Sequence, residues 1–191
     1  MPRRRQVGQE ALHEHEQAIT LWDSWEGDAA MPQQPQLRAA ALGDIPTLVD
    51  HRRRMFEDID AAQSMHYRQD DLDRLDEDYE HFLQNAVQDE TLRAWVAEVG
   101  GEIVASGAVS VLAWPPCPGL RPGWAALLHS MYTAPKYRRQ GIGRSIVEAA
   151  ISFCKARGCR CIMLGARGSD AGRHLYETIG FRPSENMRLN L

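Results

Sequence analysis

The sequence predicts a mixed α/β fold with one main domain, and three observations lead to this. The length of 191 residues suits a single domain with a substantial core and a short extension. Four segments carry apolar residues at helical spacing, whereas other runs are rich in the Val, Ile and Trp that are typical of strands. From residue 37 onward these elements follow in the order βααβββαβαβ, without an internal repeat.

The first half of the domain is predicted to contain a short strand, two helices and a hairpin. The strand covers 37–42, and the helices cover 45–59 and 70–88, where apolar side chains recur at helical spacing. The runs "TLRAWVAEV" and "EIVASGAVSVL" lie on either side of a Gly-Gly pair, which predicts two strands joined by a tight turn.

The second half begins with "AWPPCPGLRPG", whose prolines lack amide donors and predict an irregular surface loop. The strand "WAALLHSMYTA" follows, and then a helix over 142–157 that ends at Gly158. Next come the buried strand "CRCIMLGA" and the helix "SDAGRHLYETIG". Residues 181–191 are expected to form a terminal strand or hairpin.

Residues 1–36 differ from the rest, so we divide the chain into an N-terminal arm or appended helix with its linker (1–36) and a single domain (37–191). Trp22 and Trp25 share one face of a helical pattern, and residues 27–36 have the Pro and Gln content of a linker. The arm is either solvated, or it packs its tryptophans on the domain or on a second subunit.

Composition and charge exclude several classes of protein. Hydrophobic residues make up 43% and charged residues 25% of the chain, as in an ordinary soluble protein. The net charge of -4 gives no long-range attraction to polyanions, so no nucleic-acid partner is expected. No apolar run approaches the roughly 20 residues of a spanning helix, and the start "MPRRRQVGQEALHEHEQ" lacks the apolar region of a secretory signal. We therefore expect a cytoplasmic protein without membrane contact.

The four cysteines are expected to be reduced, partly buried thiols. Their spacing matches no common zinc site, and no His follows at ligand spacing, so no metal is expected. They are Cys117, Cys154, Cys159 and Cys161.

The stretch "APKYRRQGIGRSIVEAA" (134–150) is the candidate binding site. It places Gly141 and Gly143 at a predicted helix start, where backbone amides lack intrahelical partners and the dipole end is positive. Glycines let these amides approach an anion closely, and four cations surround them: Lys136, Arg138, Arg139 and Arg144. The pattern favours a phosphate site over a tight turn with surface arginines. It is not a dinucleotide fingerprint, because Ile146 stands at the third glycine position, and the P-loop pattern G-x-x-x-x-G-K-[ST] is absent as well.

Two motifs together resemble the GNAT superfamily of acetyl-CoA-dependent N-acetyltransferases. The signature R/Q-x-x-G-x-G/A is matched by Arg138, Gly141 and Gly143, and a later L-Y-E-x-x-G-F run is matched from Leu175 to Phe181. The resemblance covers the whole predicted domain and implies a mixed, mostly antiparallel sheet flanked by helices. It also implies acetyl-CoA as the cosubstrate and a primary amine as the acceptor.

The resemblance assigns coenzyme A to the loop and to the strand before it. The loop amides would hold the pyrophosphate, the free backbone groups of the strand would pair with the pantetheine arm, and an amide near Met131 would face the thioester oxygen. Ser169 stands where many relatives have an Asn that touches the pantetheine. The residues expected to bind the cofactor are Met131, Tyr132, Thr133, Arg138, Arg139, Gln140, Gly141, Ile142, Gly143, Arg144, Ser145, Ser169 and Tyr176.

The resemblance also suggests catalytic roles. Tyr176 matches the family tyrosine near the coenzyme sulfur and can protonate the leaving thiolate. Leu127 replaces the strand Glu that serves as the base in part of the family. His129, two residues nearer to the loop, is one alternative base. Glu57 or Asp58, acting through a water molecule at the end of the first helix, is another.

These residues predict direct acetyl transfer to a primary amine within a ternary complex, since neither motif contains a nucleophilic cysteine. A non-catalytic acyl-CoA-binding or regulatory module is the alternative, because the strand Glu is missing and an arm is present. The acceptor is expected to be a small-molecule or peptide amine, and acidic residues near the first helices hint at a cationic one. Family habit and the tryptophans of the arm suggest a homodimer.

Overall fold

The computed structural model describes residues 34–88, 91–116, 123–166 and 170–184, which form a mixed five-stranded sheet flanked by four helices. The strands are β1 (Gln36–Ala39), β2 (Leu92–Val99), β3 (Glu102–Trp114), β4 (Gly123–Thr133) and β5 (Cys159–Leu164). The helices are α1 (Ile45–Gln63), α2 (Gln69–Gln88), α3 (Ile142–Ala156) and α4 (Asp170–Ile179).

The strands lie in sequence order across the sheet, and the predicted fold class is confirmed. Neighbouring strands from β1 to β4 are antiparallel, whereas β5 returns through α3 and lies parallel to β4.

Several element ends differ from the prediction. Helix α1 continues four residues further, to Gln63, and the first strand begins at Gln36. Strands β3 and β4 extend into the proline-rich stretch because Trp114 pairs with Gly123, a partnership that local composition does not reveal. Residues 181–184 form no regular element, and the rest of the predicted terminal strand lies outside the described residues.

Helices pack on both faces of the sheet. Successive strand residues point to opposite faces, so each strand can contribute apolar side chains to both helical layers. Ile146 of α3 belongs to one apolar cluster with Val109, whereas Leu83 of α2 belongs to a second cluster with Val96. All four side chains are 0% exposed. Full burial of such a side chain contributes about 1.5–3 kcal/mol, so these two clusters hold the sheet between its helical layers.

An ionic group joins the edge of the sheet to the start of α1. Arg38 of β1 donates hydrogen bonds to Asp44 Oδ2 at 2.6 Å and to Glu98 Oε1 at 2.9 Å. Asp44 also accepts a hydrogen bond from the Ala41 amide at 2.7 Å. The Arg38 guanidinium holds the pKa of Asp44 below its ordinary value, so this carboxylate remains charged in mild acid.

Strand β4 separates from β5 about halfway along its length. The parallel ladder runs from Trp124 to Leu128, and Leu128 pairs with Leu164 near the end of β5. Beyond that point, within the described residues, β4 pairs only with β3. The last five residues of β4 (129–133) therefore form an edge that is open on the β5 side.

The described cysteines are free thiols. Cys154 is buried, Cys159 and Cys161 are half-buried, and Cys117 lies outside the described residues. Burial, together with the adjacent Cys159, raises the pKa of Cys154 to about 12. In the described ranges no group of His, Cys, Asp and Glu could hold a metal ion. None of the helices found there is long and apolar enough to cross a membrane.

Candidate active site

The loop between β4 and α3 has two left-handed residues directly before the helix. Arg139 has φ 65° and Gly141 has φ 83°, and α3 begins at Ile142. This conformation is open to glycine but costs other residues about 1–2 kcal/mol, so the surrounding loop must hold Arg139 in it. The first amides of α3 have no intrahelical acceptors, and the helix dipole adds positive charge there. The loop therefore has the backbone of an anion site.

Two of the three loop arginines are engaged by protein groups. Arg138 donates from Nε to the Thr133 carbonyl at 2.8 Å and from Nη2 to Asp58 at 2.6 Å. Arg144 donates to Thr178 Oγ1 at 2.8 Å. Arg139 has no ion-pair or hydrogen-bonding partner for its side chain among the described residues, so it is the arginine that is free to reach a phosphate.

The remaining loop residues shape the start of α3. Gln140, Ile142 and Ser145 line a cavity of about 150 Å³ beside β1 and β2. A Cβ at Gly143 would lie 3.4 Å from Leu175 Cδ2, so this glycine lets α4 pack closely against the first turn of α3. The packing brings the helix that carries the predicted general acid to the loop.

The open edge of β4 carries the residues that were expected to face the pantetheine arm. The Met131 side chain packs beside Gly107 and Ile146, on the α3 face of the sheet. Tyr132 is buried on the other face, with its ring centroid 4.7 Å from that of His51. Because the side chains occupy the two faces, the open side of the strand presents backbone to an extended ligand.

A bulge in β4 changes the direction of Ser130. On β3 one residue separates Ser106 from Ala108, whereas two residues separate their partners Tyr132 and His129 on β4. The additional residue is accommodated at Ser130, which has φ 54°. Bulges commonly re-aim a side chain beside an active site, and this one turns the Ser130 hydroxyl toward α1 and α2.

The Ser130 hydroxyl is the centre of a polar network. It accepts hydrogen bonds from Arg52 Nη1 at 2.6 Å and from Tyr79 OH at 2.9 Å. With both lone pairs used, its hydrogen points to His129 Nδ1 at 2.9 Å. The ring hydrogen of His129 is therefore on Nε2, which donates to Ser110 Oγ at 2.9 Å.

The environment of His129 keeps the imidazole neutral. Burial, with the Arg52 cation as a smaller cause, lowers the pKa of His129 to about 4. Both ring nitrogens are already hydrogen-bonded to serines. A group with this pKa is a weak proton acceptor at neutral pH, so the geometry fits a positioning role better than that of the principal base.

Tyr176 has the properties of a general acid. It is half-buried on α4, its ring lies 5.9 Å from the Phe181 ring, and it packs against the α3 cluster. Burial raises the pKa of Tyr176 to about 12, so the phenol keeps its proton at neutral pH. Tyr176 can therefore donate a proton without first being ionised.

The alternative bases on α1 are exposed. Glu57 Oε1 lies 3.5 Å from Arg53 Nε, and Asp58 accepts the hydrogen bond from Arg138. In the part of the chain that the structure describes, neither carboxylate is hydrogen-bonded to the network around Ser130. Ser169 lies outside the described residues.

Arg52, Tyr79 and Ser130 are site residues that sequence reasoning missed. The helical pattern counts Arg52 and Tyr79 among the residues on the apolar sides of α1 and α2. An arginine on an apolar helix face could have pointed to the site, because a charge that is removed from water must be compensated by a hydrogen bond, a counter-charge or a bound ligand. Ser130 has no comparable signal, since its left-handed backbone arises from strand pairing.

The sequence model of the Acetyltransferase (GNAT) family matches residues 51–181, a range that contains the loop, the β4 bulge and α4. The match covers more than half of the chain, and the chain belongs to this family. The resemblance drawn from the two motifs is confirmed. Family membership supports acetyl transfer as the general activity and acetyl-CoA as the cosubstrate.

Solved structures show the same fold. A predicted acetyltransferase from Clostridium acetobutylicum, crystallised with acetyl-CoA, has a TM-score of 0.72 and 26% sequence identity, and the match covers 82% of this chain and 96% of that one. A GCN5-related N-acetyltransferase from Ralstonia eutropha JMP134 has a TM-score of 0.72 and 24% identity, over 83% of this chain and 99% of that one.

A curated relative matches over a shorter stretch. It is the [Ribosomal protein bS18]-alanine N-acetyltransferase of Escherichia coli (strain K12), which is 39% identical over 57 residues. The match spans 29% of this chain and 38% of the relative.

Proposed function

We propose that the protein is an N-acetyltransferase that transfers the acetyl group of acetyl-CoA directly to a primary amine. The observation that carries this proposal is the open edge of β4 at residues 129–133, which leads into the left-handed loop and the start of α3. An extended thioester arm can pair with such an edge while its diphosphate reaches the helix start. The residues that are present therefore fit coenzyme A.

The position and contacts of each group of proposed cofactor-binding residues favour a different role for that group. The amides from Arg139 to Arg144 would hold the pyrophosphate, with the Arg139 side chain as an additional phosphate contact. Arg138 would act as a positioning residue, because its side chain joins the loop to β4 and α1. The backbone of Met131, Tyr132 and Thr133 would pair with the pantetheine arm.

The acetyl transfer would use protein groups on both sides of the thioester. The Met131 amide, next to the bulge, would donate a hydrogen bond to the thioester oxygen as it becomes an oxyanion; loss of such a donor costs about 2.7–4 kcal/mol in other enzymes. Tyr176 would protonate the departing thiolate. The amine would lose its proton to water or through the His129 network, with Glu57 and a water molecule as the alternative route.

The acceptor is proposed to be a small-molecule or peptide amine. The name of the Escherichia coli relative describes acetylation of an alanine in a ribosomal protein. That relative is matched over little more than a third of its length, so it supports an amine on a peptide as one candidate and leaves small amines as another.

Calorimetric titration with acetyl-CoA and a thiol-release assay over a panel of amines test the proposal. We expect micromolar binding of acetyl-CoA and turnover with at least one amine. Tyr176→Phe should keep binding but lower kcat by about 10²–10⁴-fold, the usual contribution of a general acid. Tyr67→Phe, the same change outside the proposed site, is the matched control.

Three results would contradict parts of this proposal. Absence of acetyl-CoA binding would remove the cofactor assignment. Binding without acetylation of any amine would favour the acyl-CoA-binding module instead. Unchanged turnover in Tyr176→Phe would remove Tyr176 from the mechanism and leave the transferase assignment intact.

A further inference from the structure

The Arg52 guanidinium lies in an aromatic environment beside the β4 bulge. Its central carbon is 4.3 Å from the Tyr79 ring centroid and 5.3 Å from the Phe56 ring centroid. Its Nη1 donates to Ser130 Oγ at 2.6 Å. The side chain is half-buried, and burial lowers the pKa of Arg52 without removing its charge at neutral pH.

Arg52 lacks an acidic partner in the described structure, whereas its neighbours on α1 each have one. Arg53 pairs with Asp73 at 2.7 Å, and Arg54 pairs with Asp50 at 2.9 Å. Among the described residues no carboxylate lies within 4.0 Å of the Arg52 nitrogens, and its Nε is buried without a hydrogen-bond partner. A half-buried cation without a counter-charge is costly, so a bound anion would be stabilised here.

Several acidic residues near the first helices are already engaged by arginines. Asp50, Glu57, Asp58 and Asp73 are each paired with an arginine of this chain. Arg52, in contrast, is a cation beside the bulge without an acidic partner among the described residues. Arg52 favours an anionic group on the acceptor, in contrast to the sequence-based hint of a cationic amine.

The Arg52 cation lies close to the place where the acceptor amine would have to approach the thioester. Ser130, which Arg52 contacts, directly precedes Met131, whose amide is proposed to face the thioester oxygen. An amine that attacks this thioester must come close to the bulge. We propose that the acceptor amine carries a carboxylate or phosphate group and that Arg52 binds this anionic group. The inference rests on the proposed acetyltransferase function and names the substrate class of the same site.

The chemistry of arginine suits this role. A guanidinium has five N–H donors in a planar fork, and only the bonds to Ser130 and Tyr79 use them here. The fork can therefore still pair with the oxygens of a carboxylate or phosphate. A cation at this place also disfavours the protonated form of the attacking amine, which helps to keep the nucleophile neutral.

Matched acceptor pairs test the inference on the unaltered protein. Each pair has the same amine with and without the anion: an amino acid against its amide, a dipeptide with an acidic second residue against its Gln counterpart, and an aminoalkyl phosphate against the aminoalcohol. We expect kcat/KM to be about 10-fold or more higher for the anionic member of at least one pair, as for a charge-assisted hydrogen bond. The pair that responds identifies the source of the anion.

Variants of Arg52 then show whether this residue is responsible. Arg52→Gln should raise KM for the preferred anionic acceptor by about 10- to 100-fold and change KM for its neutral counterpart by less than about threefold. Arg52→Lys should restore part of the preference, because it keeps the charge but loses the fork. Arg74→Gln, which removes an exposed arginine from α2, is the matched control.

The outcomes separate this inference from the proposed function. If neutral and anionic members of every pair react equally well, or if Arg52→Gln impairs both members equally, then Arg52 only supports the bulge and the inference is overturned. If acetyl-CoA binds but no member of any pair is acetylated, the proposed function fails and the inference fails with it.

Discussion

Gly107 is the position at which one added methyl group should damage the β4 bulge. A Cβ there would overlap with Met131 Sδ and lie 2.8 Å from Ile146 Cγ2. The Met131 side chain can turn away, but Ile146 is 0% exposed in the α3 cluster, so the strand or the helix must shift. Overpacking of this kind typically costs about 1–3 kcal/mol. We expect Gly107→Ala to lower the free energy of unfolding by that amount.

The assay for Gly107→Ala is urea unfolding followed by thiol-release kinetics. In a chain of this length, each kcal/mol of lost stability corresponds to a decrease of about 2–4 °C in Tm. We also expect kcat/KM to fall, because the displaced Met131 is the residue whose amide is proposed to face the thioester. Gly43→Ala is the matched control, since a Cβ at Gly43 would meet nothing within 4 Å.

A double-mutant cycle with Ile146→Ala locates the cause. Ile146→Ala removes the clashing Cγ2 together with Cγ1 and Cδ1, so it costs stability by itself but also relieves the clash with the new Cβ. The loss of unfolding free energy in the double variant should therefore be smaller, by about 1 kcal/mol, than the sum of the two single losses. Additive losses, or a Gly107→Ala variant as stable as Gly43→Ala, would refute this account of the bulge.

Three other predictions concern the loop, the buried histidine and the edge of the sheet. Gly141→Ala should destabilise by about 1–2 kcal/mol through its left-handed backbone alone, since its Cβ meets open space, and calorimetry should show weaker acetyl-CoA binding. Because the pKa of His129 is lowered to about 4, kcat/KM should show no acidic limb from His129 between about pH 6 and 9; a limb that disappears in His129→Asn would contradict this. Asp44→Asn should melt below the wild type at pH 7. The pKa of Asp44 is lowered by Arg38, so its stabilisation exists above about pH 4 and is lost as pH falls through its folded value. The Tm difference should therefore shrink as pH falls below about 4; a constant difference would count against the Arg38 pair.

Local patterns predicted the elements well because they depend on neighbours in sequence. Helix α2 was expected over 70–88 and is observed at Gln69–Gln88, since its apolar residues recur at helical spacing. The strand limits at Trp114 and Gly123 were not predictable in this way. They depend on pairing between β3 and β4, which can keep a strand regular in a composition that otherwise favours a loop.

The candidate site was predicted in part. The glycine motif located the loop before α3, and the L-Y-E-x-x-G-F run located Tyr176 on α4. The left-handed backbone of Arg139 has no sequence signal, because residues other than glycine adopt it only when the surrounding structure holds them there. The roles of the loop arginines were also not predictable, since Arg138 is hydrogen-bonded to Asp58, which lies 80 positions earlier in the chain.

The sequence by itself determined most of the segments that are helices and strands, the position of the glycine loop before α3, and the family that the chain resembles. These properties reside in spacing and in short motifs. Only the tertiary structure decided that Ser130 turns toward α1 and α2, and that Arg52 keeps an unpaired charge beside it. The physical reason is that burial and partners depend on residues far apart in the chain: Arg52 and Ser130 are separated by 78 positions. The sequence shows which side chains carry a charge, but only the fold shows which groups lie close enough to neutralise that charge.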